Sequence, residues 1–117
     1  MPSVFASLSH LNLSGDPAIN QRRVQRDLVD MVSHITAKGR SHGVRIINIS
    51  ALGLMCRTEA PLTIGERVTI WLPVVKNQAA EVRWSEEGRI GVEFLQRIEP
   101  EVYDAMLALI PPRQTAW

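Results

Sequence analysis

"VRIINISALG", Val44 to Gly53, changes character halfway along. Its first part, "VRIINIS", is rich in β-branched apolar residues, the composition of a strand laid against a core. It then breaks at Ser50–Gly53, and "GLMCR" resumes as a short third strand. Asn48, Ser50 and Gly53 sit at that margin, as Asn-x-Ser-x-x-Gly, where rigid neighbours can hold binding groups in place.

Upstream, "DLVDMVSHITAKG" sets Val29, Met31 and Ile35 against Asp30, His34 and Thr36, which predicts a half-buried strand. "KGRSHG" reads as the turn joining it to Val44 in a hairpin. Downstream, "PLTIG" is a turn. "ERVTIWLP" then alternates Val68, Ile70 and Leu72 against Arg67, Thr69 and Trp71 until Pro73, which cannot donate to a ladder. "QAAEVRWSE" and "RIGVEFL" make another hairpin across Glu86–Glu87–Gly88. Strands at this spacing, with glycine at the turns, predict a small antiparallel barrel or sandwich. The last element differs: "PEVYDAMLALIPP" puts Val102, Met106, Leu109 and Ile110 at helical spacing between Pro100 and Pro111–Pro112. A single helix after a run of strands most simply closes an open end of the barrel.

The chain has 117 residues, enough for one domain and one core. Residues 1–20 read as a flexible arm, 21–112 as the folded domain with its helix at about 100–110, and 113–117 as a tail. A net charge of +1 gives no broad field for DNA, RNA or an anionic membrane. No apolar run reaches the ~20 residues needed to cross a bilayer. The N-terminus lacks the basic start of a signal peptide, and a lone Cys56 excludes an internal disulfide. The expected location is the cytoplasm. His10, His34 and His42 form no metal pattern with Cys56, which reads as a small core residue. Trp71 and Trp84 read as barrel packing, although an exposed one could stack on a base. Arg45 reads as a solvent-facing strand residue. No nucleophile–base pair or metal set appears, so the chain is expected not to be an enzyme and to carry no cofactor.

One feature departs from this neutral background. "QRRVQR", Gln21 to Arg26, gathers three arginines into six residues. Two guanidinium forks on a flexible segment can fold over a ligand, meeting phosphate oxygens and the O6/N7 edge of guanine. Asn48 offers an amide able to read a base edge. Ser50 offers a hydroxyl to a phosphate or to the backbone, and Gly53 offers a sharp turn or a close approach. Together they suit a compact nucleotide with at least two phosphates.

Arg22-x-x-x-Arg26 and Asn48-x-Ser50-x-x-Gly53, in this order with 21 residues between them, resemble the paired RxxxR and [D/N]xSxxG motifs of the PilZ domain family, bacterial receptors for cyclic di-GMP. The resemblance spans roughly residues 20 to 110. It implies a six-stranded antiparallel β-barrel with a C-terminal α-helix. It implies that Arg22 and Arg26 clamp guanine and phosphates, with Arg23 at a position often basic in the family. It further implies that Asn48 contacts a guanine, Ser50 supports a phosphate and Gly53 holds the turn. Asn48 stands where many members carry Asp. Gln21 stands where a further arginine would favour a stacked pair of ligands, which leaves stoichiometry open. The reading is a cyclic di-GMP receptor that orders its N-terminal arm and presents a changed surface to an unidentified protein partner. The alternative is a PilZ-like adaptor acting through protein contacts without a nucleotide. A barrel for single-stranded nucleic acid would call for a basic, aromatic-lined groove, which 6 aromatics do not supply.

Overall fold

The computed structural model describes residues 25–113. Six strands follow in chain order: β1 (Asp27–Ala37), β2 (Arg40–Ile49), β3 (Gly53–Arg57), β4 (Arg67–Leu72), β5 (Lys76–Glu86) and β6 (Arg89–Phe94). One helix, α1 (Pro100–Leu107), follows them. The strands close into an antiparallel barrel in the order β1-β2-β3-β6-β5-β4, sealed by Ile35 against Ile70 and Thr36 against Thr69. The expected six-stranded barrel with a C-terminal helix is therefore the fold.

Two hairpin turns are tighter than the sequence suggested. Lys38–Gly39 and Glu87–Gly88 are two-residue connections with φ of 51° and 76°, and of 50° and 78°. Both central residues are left-handed, which matches the twist of the flanking strands and favours glycine at the second position. Arg40 to Gly43, expected in the first turn, are thus the start of β2.

The interior is filled by the inward half of each alternation. Ile35, Ile46, Ile49, Leu54, Ile70, Leu72, Val82 and Val92 are all fully buried. Cys56 lies among them, and burial pushes its thiol pKa up to about 12, as expected of a small core residue. Met106 and Ile110 enter the same cluster from α1 and the turn after it, with Tyr103 and Leu107 packed alongside. Val102 and Leu109, expected on this apolar face, are exposed. The true stripe is Tyr103, Met106, Leu107 and Ile110, at the i, i+3, i+4, i+7 spacing of a narrow helix face. After α1 the chain returns along β1. Asp30 N–H donates to Pro111 O, and Arg113 N–H to Leu28 O.

Register irregularities interrupt the ladders. Opposite β3, Ile46 pairs with Cys56 and Asn48 with Met55, so Ile47 is an extra residue on β2. Opposite β6, Val82 pairs with Val92 and Trp84 with Gly91, so Arg83 is an extra residue on β5. Each bulge turns the residue after it to the other face. Asn48 and Trp84 would otherwise continue the inward sets of Ile46 and Val82; the bulges put both on the outer wall.

Candidate ligand-binding wall

The two bulges create a row across four strands. Asn48 on β2 faces Met55 on β3, Met55 faces Gly91 on β6, and Gly91 faces Trp84 on β5. Leu28 on β1, half exposed, extends the row beyond Asn48. Three strand spacings separate Asn48 from Trp84, roughly 14 Å at ~4.8 Å each. Gly91 is what lets Trp84 lie down: a Cβ there would stand 2.0 Å from the indole Nε1 and 2.4 Å from Cε2. The indole is therefore packed on glycine backbone on the outside of the barrel, barrel packing of the kind expected but on the outer face. Trp71 is likewise on the outward half of β4.

Arg26 reaches this row from just before β1. Its Nη1 donates to Asn48 Oδ1 at 3.2 Å, linking the two motifs across 22 positions. A guanidinium has donors only, so the contact fixes the amide of Asn48 with its oxygen toward Arg26. Lodging against the barrel lowers the pKa of Arg26 through desolvation, and an arginine so placed stays charged. Asn48 itself is only 9% exposed.

Ser50 and Gly53 do different work from Asn48. Ser50 is buried; its Oγ accepts from Leu52 N–H at 3.1 Å and donates to Gly53 O at 3.4 Å. Ser50 N–H also donates to Gly53 O, at 2.8 Å. The hydroxyl thus builds the turn. The turn's other carbonyls are taken as well: Phe94 N–H donates to Leu52 O, and Ile98 N–H to Ala51 O. Gly53 opens β3 without a left-handed φ, so backbone conformation does not explain the glycine. Arg22 and Arg23 lie outside the described residues.

The flanks of the row are ionic. Arg83 bonds Glu81 at 3.0 Å and approaches Glu93 at 3.6 Å, while Arg67 meets Glu81 at 3.6 Å. Arg45 is exposed, as expected, and pairs with Asp30 at 3.5 Å. Among the described residues no three His, Cys, Asp or Glu side chains are grouped to hold a metal ion. No described helix is long and apolar enough to cross a membrane.

The PilZ domain family model matches residues 20–110, from the arginine motif through α1. The chain belongs to the PilZ domain family. Among solved structures, this PilZ chain is similar to the Borreliella burgdorferi PlzA protein in complex with c-di-GMP, with a TM-score of 0.50 and 13% identity. The match covers 74% of this chain and 34% of that one, so the PilZ chain spans about a third of PlzA, and the likeness is one of fold. No curated protein matches.

The row of Met55, Gly91 and Trp84 is what reading the sequence missed. One signal was available: the doubled Ile46–Ile47 breaks the alternation of β2, the mark of an inserted residue.

Proposed function

We propose that this PilZ domain is a receptor for cyclic di-GMP, bound on the outer wall between Arg26, Asn48 and Trp84. The observation that carries the reading is the Arg26–Asn48 hydrogen bond, which joins the two halves of the motif pair in space. With Oδ1 of Asn48 turned to Arg26, its Nδ2–H groups are the free half of the amide. They suit the O6 and N7 acceptors of guanine and meet a donor, N6–H₂, on adenine. The Arg26 guanidinium brings a positive charge to the edge of the wall, suited to a phosphate oxygen or a guanine edge. Trp84 supplies a flat surface on which a base can stack, worth about 1–3 kcal/mol. Ser50 acts through the turn it builds. Arg22 and Arg23 close over the ligand from the arm.

The domain performs no reaction on the nucleotide in this reading. Arg26 already meets Asn48, and the ordering on binding belongs to the N-terminal arm that carries Arg22 and Arg23. That ordering, about 1–2 kcal/mol per residue, is offset by charged contacts to two phosphates. It gives a protein partner a surface that depends on the messenger.

Calorimetric titration with cyclic di-GMP tests the reading. Saturable binding that is lost in Arg26→Ala supports it. A flat trace at high micromolar ligand rejects it in favour of an adaptor working by protein contacts alone.

A further inference from the structure

The ladder between β1 and β2 ends at the pair Asp27 and Ile49. Each member of that pair adjoins a site residue: Asp27 follows Arg26, and Ile49 follows Asn48. A strand end beyond its last pair is where a sheet frays. Here it is closed from outside the sheet. Tyr103 of α1 donates its one hydroxyl proton to Asp27 Oδ2 at 2.5 Å, with Ile49 O at 3.1 Å as a second, weaker acceptor of the same proton, across 76 and 54 positions of sequence. The shorter contact has the length of a hydroxyl donating to a carboxylate, among the stronger hydrogen bonds in proteins. The ring beneath is packed on the core cluster, so the hydroxyl is held by a rigid base. Burial, and then the bond to Asp27, raise the Tyr103 pKa well above its ordinary value, so it stays a neutral donor. The same residue borders a hollow of about 360 Å³ with Gln25, Asp27, Ala51 and Arg97, between α1, the arginine motif and the turn.

We propose that Tyr103 is a positioning residue for the ligand-binding wall: by clipping Asp27 to Ile49 it holds the start of β1 in place and keeps Arg26 over Asn48. The clip also makes α1 sensitive to the state of the site, since one hydroxyl joins the helix to both motif-bearing strand ends. This rests on the reading of the wall as the ligand site, and the test separates the two.

The variant is Tyr103→Phe, which keeps the ring and its packing and removes only the hydroxyl; Asp27→Ala removes the acceptor as a second route. Side-chain N–H exchange of Arg26 and Asn48 is followed by NMR in the protein alone, and cyclic di-GMP affinity by calorimetry. Both variants are expected to speed exchange at Arg26 and Asn48 and to weaken cyclic di-GMP binding by about tenfold. The two losses are expected to be non-additive in the double variant Tyr103→Phe/Asp27→Ala, because both substitutions break the same clip. Unchanged exchange at Arg26 and Asn48 overturns the positioning role, as do affinity losses that simply add in the double variant. Faster exchange in a protein that binds no cyclic di-GMP upholds the clip and removes the ligand reading.

Discussion

The inside and the outside of this barrel follow different rules. Inside, the inward residues of all six strands converge, and the buried set of Ile35, Ile46, Leu54, Ile70, Val82 and Val92 forms one apolar cluster. Outside, the row from Asn48 to Trp84 exists because two strands break the two-residue period at Ile47 and Arg83. The inner face holds the fold through apolar burial. The outer wall holds a polar amide, an arginine and an indole that add little to folding. Stability and binding are therefore separable by substitution, which the following variants are chosen to break or sharpen.

The largest separation is expected at Arg26. Arg26→Ala removes charge-assisted contacts worth about 2–5 kcal/mol of binding, roughly 30- to several-thousand-fold in cyclic di-GMP affinity. It should shift unfolding free energy by less than about 1 kcal/mol in urea melts. Leu54→Ala is its mirror. Truncating this fully buried side chain should cost about 2–5 kcal/mol of stability. The folded fraction should still bind with near wild-type affinity. A large stability loss in the first variant would show the arginine to be structural and erase the contrast.

Gly91→Ala sharpens the account of the wall. The backbone there accepts a side chain, since its φ is not left-handed, but Trp84 occupies the space. We expect about 1–3 kcal/mol of destabilisation and weaker ligand binding. In a Trp84→Ala background the same change should be nearly neutral, a non-additivity that urea melts can read. Asn48→Ala should weaken cyclic di-GMP binding by roughly 1–3 kcal/mol and narrow its preference over cyclic di-AMP. Equal weakening of both dinucleotides would assign Asn48 to shaping the wall.

What could be read in advance follows the same division. Alternation located β1 and β4, because burial on one face imposes it directly; β-branched composition and the glycine-marked turns located the others. Pro100 marked the start of the helix, but its end at Leu107 falls short of Pro111–Pro112, which the sequence suggested as the stop. The motif pair named Arg26 and Asn48 without geometry. The face that Trp84 takes was not legible for a physical reason: counting by twos from Val82 sends it inward, and only the register shift at Arg83 reverses it. Val102 and Leu109 were misplaced because a short helix at a barrel end buries a stripe narrower than its apolar content. Tyr103 carried no signal, since its role depends on Asp27 and Ile49 converging from distant positions.

The smallest effect concerns Cys56. With its pKa raised to about 12 by burial, the native thiol stays protonated while an unfolded one ionises from about 8.5. The folded form binds the extra proton, so this group's contribution is complete below pH ~8.5 and falls as pH rises toward 12. Thiol-reagent kinetics at pH 8 should show a near-inert native protein and a reactive one in denaturant. Fast native reaction would place Cys56 outside the core.

The account turns on cyclic di-GMP meeting the outer wall. The most direct measurement is a two-dimensional NMR titration of the full chain with cyclic di-GMP. Shift changes should concentrate at Leu28, Asn48, Met55, Gly91 and the Trp84 indole N–H, with Ile35, Leu54 and Ile70 nearly still. Saturation that leaves the Asn48 and Trp84 side chains unmoved, or shifts confined to another face of the barrel, would contradict it.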